Sequence, residues 1–295
     1  MALLANQILL PLCLALIMLV MGTGLSLQSF LPVLHKPKAV LLGIVAQLLL
    51  LPMIVWALIL ALHLPPVIAA ALVLIACAPG GATSNLFSKL ADGDLPLSIA
   101  LTAVISLFSP LWMPWAAQTQ LGWLGYDVAF KLSYAQVVLQ LIVVTALPLI
   151  LGMGLRKLYP NWVQANEQRL KQLSVGLLML MILVLIVVNA HVLPSVFGLS
   201  ALMVVLLATL ALALGYALAR LLGLSQAQSR TLSFETGVQN AGMAIMIAFS
   251  FLQAPELGMV ALLYGILMNI PAFITLWVFK RGQRSLKNKQ PSAYS

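Results

Sequence analysis

The chain has 295 residues, 63% of them hydrophobic and 7% charged, against roughly 45–50% and 25% in an ordinary soluble domain. So few polar groups cannot cover a water-facing surface, which excludes a soluble enzyme and puts the chain in a bilayer. The formal charge of +9, from 15 Lys and Arg against 6 Asp and Glu, is therefore a question of topology before it is one of affinity for a nucleic acid.

Taken in order, the apolar runs predict nine spanning segments of the usual length of about 20 residues. The first, Gln7 to Leu25, follows a start without basic residues or a cleavage motif, so it reads as a retained helix and not a secretory signal. The next are Ala39 to Leu62, Pro66 to Leu90, Leu95 to Ala117 and Leu132 to Leu155. Leu173 to Ala190, Ser200 to Leu222, Ala227 to Leu252 and Leu257 to Phe279 complete the set. Short joints such as His35-Lys36-Pro37-Lys38, Asp92-Gly93-Asp94 and Ala254-Pro255-Glu256 carry turn residues. The longer joints, around Gly122 to Asp127 and Tyr159 to Lys171, are expected to form small surface features, and the polar tail after Lys280 to be disordered.

Alternate connections divide the basic residues unequally. One side receives Lys36, Lys38, Lys89, Arg156, Lys157, Arg169, Lys171, Arg220, Arg230, Lys280, Arg281, Arg284, Lys287 and Lys289, which is 14 of 15; the other receives Lys131. The positive-inside rule then makes the C-terminus cytoplasmic and, with nine segments, the N-terminus external, as expected of a multi-pass protein of a plasma or bacterial inner membrane. No nucleic-acid partner is needed to explain the charge.

Several residues have plain readings. Cys13 and Cys77 lie in apolar runs and read as small core residues. Asp92 and Asp94 precede Leu95-Pro96, where Asp94 is placed to cap a helix. His35, His63 and His191 fall at segment ends, as do most of Trp56, Trp112, Trp115, Trp123, Trp162 and Trp277.

Two segments are interrupted. The third contains Pro79-Gly80-Gly81-Ala82-Thr83-Ser84-Asn85, the eighth Glu235-Thr236-Gly237-Val238-Gln239-Asn240. Pro79 lacks an amide proton, and Gly80, Gly81 and Gly237 allow torsions outside the helix, so both helices are expected to unwind there. Freed backbone groups at membrane depth must be buried in protein or face a watery cavity. The interruptions lie about 155 residues apart, and the same offset carries the second segment onto the seventh and the fourth onto the ninth. Four segments in each copy, around an unpaired fifth, place the copies in opposite orientations, the pattern of inverted-repeat secondary transporters.

Glu235 is the one acid inside an apolar span. A carboxylate there costs at least a few kcal/mol unless paired. It reads as a cation ligand or a proton carrier, against a neutral carboxyl bonded to a neighbouring helix. Gln47, Ser84, Asn85, Ser98, Thr102 and Gln239 offer neutral oxygens suited to an alkali ion, while no His or second acid extends a proton relay. An intramembrane enzyme lacks its motifs here, and a channel fits two broken helices less well than an occluding site.

At these residues the chain resembles the bile acid:sodium symporter family. The resemblance covers nearly the whole chain and rests on Pro79-Gly80-Gly81 with Ser84-Asn85, and on Glu235 through Gly242, similar to E-x-G-x-Q-N-x-G. Met21-Gly22-Thr23-Gly24-Leu25, Ala46-Gln47 with Pro52, and Ser98 with Thr102 support it. It implies an all-α membrane protein of the nine-helix kind with two broken, crossing helices. Residues 1–28 and 131–190 would form a panel domain, 39–117 and 198–281 a core domain, and 282–295 a cytoplasmic tail. It further implies two sodium ions. The first would use Ser84, Asn85, Ser98, Thr102 and Glu235, and the second Gln47, Glu235, Gln239 and the carbonyls of Thr236 and Val238. Asn240 and Asn269 would face an organic anion, a bile acid or a smaller carboxylate such as pantoate or a keto acid. Where family members often carry Thr after the paired glycines, this chain has Ala82 followed by Thr83, so the hydroxyl there is lost or presented on another face.

Overall fold

The computed structural model describes residues 5–125 and 133–288. Asp127, Lys131, Leu132 and Lys289, which entered the reading above, lie outside them. Among the described residues the chain is helical, apart from turns and one isolated β-bridge. The main helices are α1 (Leu10–Thr23, preceded by a wide turn Ala5–Leu9 and followed by the short helical stretches Leu27–Phe30 and Leu31–His35), α2 (Pro37–Leu62), α3 (Pro66–Cys77), α4 (Ala82–Leu90), α5 (Leu95–Trp123) and α6 (Tyr134–Leu158). They continue with α7 (Pro160–Val188), α8 (Leu193–Leu221), α9 (Gln226–Gly237), α10 (Ala241–Phe251), α11 (Pro255–Leu267) and α12 (Asn269–Asn288).

Proline sets many of the starts. Helices α2, α3, α7 and α11 begin on Pro37, Pro66, Pro160 and Pro255, where the missing amide proton costs nothing because first-turn amides have no partner within the helix. Helix α9 begins instead at Ser225, whose hydroxyl accepts from Gln228 N at 3.2 Å while Gln228 Oε1 accepts from Ser225 N at 3.1 Å. Asp94 caps α5 as expected, its Oδ1 accepting from Leu97 N at 3.2 Å.

Among the described residues, seven helices are long and apolar enough to cross a bilayer: 6–23, α2, α5, α6, α7, α8 and the run Pro255–Gly282 formed by α11 and α12. The other two apolar segments are broken, into α3 and α4 and into α9 and α10, at the residues where unwinding was expected. Three expectations need correction. The stretch Tyr159 to Lys171 is not a surface joint but the N-cap and first turns of α7, where Glu167 and Lys171 pair one turn apart. Helix α5 runs on to Trp123 past Ala117. The tail after Lys280 continues α12 to Asn288.

Helices α1, α6 and α7 pack on one another. The α1–α6 crossing needs glycine on both sides: a Cβ on Gly22 would stand 2.1 Å from Leu149 O, and one on Gly152 2.1 Å from Leu19 O. Helix α8 lies along α9 and α11, α3 packs on α5 and α11, and α4 and α5 pack on α9. The two broken helices therefore sit in the interior, lined by α2, α5, α8 and α11.

Candidate functional site

The breaks meet each other. Ala78 and Gly81 end and restart their helix in extended backbone, as does Val238 (φ −124°, ψ 95°) in the second. Gly80 and Gln239 form an antiparallel bridge; Asn240 N donates to Pro79 O at 2.7 Å and Gly81 N to Val238 O at 3.4 Å. The amides and carbonyls released by one break are thus partly satisfied by the other, as membrane depth demands. The antiparallel pairing also has the two chains passing in opposite senses.

The role expected of the glycines changes here. Positive φ occurs at His63, Asp92, Gln253, Gly125 and Gly223, and at none of Gly80, Gly81 and Gly237. What Gly80 and Gly237 supply is room. A Cβ on Gly80 would lie 2.9 Å from both Gln47 Nε2 and Glu235 Oε2, and one on Gly237 2.4 Å from Leu212 Cγ. The unwinding comes from Pro79 and the cross-bridge; the glycines let side chains reach in.

Glu235, two residues before the end of α9, is 0% exposed. Its Oε1 accepts from Ser84 Oγ at 2.6 Å and Ser98 Oγ at 2.5 Å, its Oε2 from Thr102 Oγ1 at 3.0 Å and Gln47 Nε2 at 3.4 Å. The ion pairs among the described residues join Lys36 to Asp94 and Lys171 to Glu167, so no basic side chain compensates this carboxylate. Three hydroxyls and an amide surround it instead. They come from α4, α5 and α2, and Gln47 lies in a π-helical turn, Ala46–Leu50, that locally widens α2.

A second oxygen cluster adjoins the first. Gln47 Nε2 donates to Glu235 O at 2.7 Å, and Gln239 Nε2 donates to Glu235 O at 3.1 Å and to Thr236 O at 2.7 Å. Those carbonyls can only accept, which fixes Nε2 toward them and turns each Oε1 the other way. Both Oε1 atoms are buried and have no hydrogen-bond partner. A buried acceptor without a donor is costly, and two beside a carboxylate form a cradle for a cation. No three His, Cys, Asp or Glu side chains gather among the described residues. One carboxylate with neutral oxygens suits a hard cation and not a soft transition metal.

The remaining expected residues divide. Asn85, half-buried, has its Oδ1 3.4 Å from Thr102 Oγ1, whose one proton goes to the nearer Glu235 Oε2, so Asn85 stands at the margin of the first cluster. Val238 O faces Gly81 N, and Thr236 O faces Gln239 Nε2. Exposed Ala82 and half-buried Thr83 open α4, and Asn240 opens α10, so both helices start at the crossing. Asn269 stands further off. Its Nδ2 donates to Gly265 O and Ile266 O, both at 3.0 Å, across the joint between α11 and α12, one turn from the point where a Cβ on Gly265 would touch Ala241 Cβ at 2.8 Å.

Some partners went unread in the sequence. Tyr264, fully buried on α11, donates to Gly237 O at 3.0 Å, and Ser233 donates to Leu212 O at 2.7 Å; together they anchor the end of α9. A lone Tyr or Ser in an apolar run was the available signal. Arg230, counted above among the basic residues of one membrane side, is 4% exposed; it donates to Ala91 O at 3.0 Å and lies over the Phe279 ring at 5.8 Å. Cys77, buried as expected, accepts from Gln120 Nε2 at 3.3 Å.

The model of the Sodium Bile acid symporter family matches residues 11–196. The chain is 28% identical over 287 residues to the Sodium-dependent organic anion transporter of Bos taurus, covering 94% of this chain and 74% of that one. It is 29% identical over 237 residues to the uncharacterized sodium-dependent transporter YocS of Bacillus subtilis, covering 80% and 72%. It is 30% identical over 286 residues to the human Sodium/bile acid cotransporter 4, covering 93% and 64%. The crossed, broken helices and the family match lead to one conclusion: the chain belongs to the sodium bile acid symporter family, whose members are transporters and not enzymes.

Proposed function

We propose that the protein is a symporter that couples two sodium ions to the uptake of an organic anion by alternating access. The observation that carries this is Glu235, fully buried with no basic partner among the described residues, set among three hydroxyls and beside two unpartnered amide oxygens. The first ion would take oxygens from Ser84, Asn85, Ser98, Thr102 and Glu235, and the second from Gln47, Gln239, Glu235 and the carbonyls of Thr236 and Val238. Sodium would neutralise the carboxylate and fix the unwound strands. Because coupling is reciprocal, it would then raise affinity for the anion and the anion would raise affinity for sodium.

The anion site is assigned to the crossing. Helices α4 and α10 both start there, and a helix start carries partial positive charge that favours a carboxylate. Thr83, Asn240 and, with movement of its joint, Asn269 would supply directional contacts, while Ala82 contributes no hydroxyl. A bile acid, pantoate or a keto acid meets the requirement of one carboxylate.

Helices α1, α6 and α7 would form the panel that rocks against the other helices, a reading supported by their mutual packing. The charge distribution supports nine crossings of a plasma or inner membrane with the C-terminus inside. The test is uptake of radiolabelled taurocholate and pantoate by proteoliposomes under a sodium gradient at equal pH on both sides. Uptake of at least one anion that stops when potassium replaces sodium is expected. Uptake driven equally by a pH gradient in potassium would assign Glu235 to proton coupling instead.

A further inference from the structure

The groups around Glu235 come from α2, α4, α5 and α9, so the site exists only while these helices hold their register. One turn away, the connection from α4 to α5 is tied to α9. Arg230 Nη1 donates to Ala91 O at 3.0 Å, Asp94 N to Ala227 O at 3.2 Å, and Thr231 Oγ1 to Asp94 O at 3.2 Å. The Thr231 hydroxyl has one proton, used on Asp94 O, so in its 2.7 Å contact with Ser88 Oγ it is Ser88 that donates. Both hydroxyl residues are 0% exposed. Gly93 closes the arrangement: a Cβ there would lie 2.7 Å from each hydroxyl and 2.9 Å from Ser88 O.

The spacing matches that of the site. Ser88 is one turn beyond Ser84 on α4, and Thr231 one turn before Glu235 on α9, so Ser88–Thr231 repeats Ser84–Glu235 as a second rung between the same two helices. Ser98 N bonds to Asp94 O at 3.0 Å, which ties the turn of α5 carrying Ser98 to the same carbonyl that Thr231 holds. Apolar packing would hold these helices together, but it tolerates sliding along their axes. Directional bonds between buried hydroxyls do not, because a slip leaves donors and acceptors unpaired in a medium of low dielectric.

We infer that Ser88, Thr231 and Gly93 form a positioning clasp that sets the affinity of the sodium site without touching the ion. This rests on the sodium reading above. The probe is sodium alone: thermal stability of the purified protein in detergent, titrated with NaCl against choline chloride at constant ionic strength. Thr231→Val preserves shape and removes the hydroxyl. It is expected to raise the half-effective sodium concentration about fivefold or more, less than the roughly 10- to 100-fold lost when a group bonded directly to a metal ligand is removed. Maximal stabilisation at saturating sodium should persist, and Thr231→Ser should restore the midpoint. Gly93→Ala should shift it further, and Ser88→Ala serves if that variant does not fold. A wild-type midpoint in both Thr231→Val and Ser88→Ala would overturn the clasp alone. Wild-type protein stabilised no better by sodium than by choline would overturn the sodium reading and the clasp with it.

Discussion

Helices α7 and α9 invert the rule that holds in water. In α7 the stretch from Leu173 to Val188 is almost wholly apolar, yet of the whole helix only Val163, Met181 and Leu185 are buried, and Leu173, Val175, Met179, Leu183 and Val187 are more than half exposed. In α9 every residue from Ser229 to Gly237 is buried, and six of those nine are Ser229, Arg230, Thr231, Ser233, Glu235 and Thr236. A soluble fold would do the reverse. Lipid is as apolar as leucine, so exposed apolar surface carries no penalty, and polar side chains must find partners inside the protein. Burial of polar groups is therefore the signal of function, and α9 concentrates it.

That contrast can be broken most severely at Glu235. Glu235→Ala leaves three hydroxyls and an amide without their common acceptor and removes the charge proposed to hold sodium, and sodium-driven uptake in proteoliposomes should fall about 100-fold or more. Gln239→Ala should act on one ion. Sodium activation of uptake should become less steep, the Hill coefficient falling from about two toward one, with roughly tenfold weaker sodium dependence. Gly237→Ala puts a Cβ 2.9 Å from Leu212 N and should cost about 1–3 kcal/mol of stability, measured as a lowered Tm in detergent. Leu183→Ala on α7, 59% exposed, should change Tm by no more than about 0.5 kcal/mol equivalent and leave uptake unchanged.

The same contrast explains what could be read from the sequence. A proline beside glycines in an apolar run, and a single acid in another, stand out against a uniform background; both breaks and Glu235 were legible for that reason. The polar start of α7 was not, because a hydropathy window sees Tyr159 through Lys171 as a joint, whereas Pro160 and the Glu167–Lys171 pair make it helix. The function of Gly80 was also hidden: its torsions are ordinary, and only the approach of Gln47 and Glu235 requires the missing Cβ. Ser88 and Thr231 lie 143 residues apart in sequence, and nothing local in either foretells the other. Spacing exposes one helix at a time, while rungs between helices belong to the fold.

The central claim is that the buried carboxylate of Glu235, which has no basic partner among the described residues, is there for sodium. The direct measurement is the thermal stability of purified wild-type protein and of Glu235→Gln, each titrated with NaCl and with KCl at constant ionic strength. The wild type should be stabilised by sodium and not by potassium, and Glu235→Gln, which keeps the shape and removes the charge, should respond to neither. Equal stabilisation of the wild type by both ions, or a Glu235→Gln variant that retains the wild-type sodium midpoint, would contradict it.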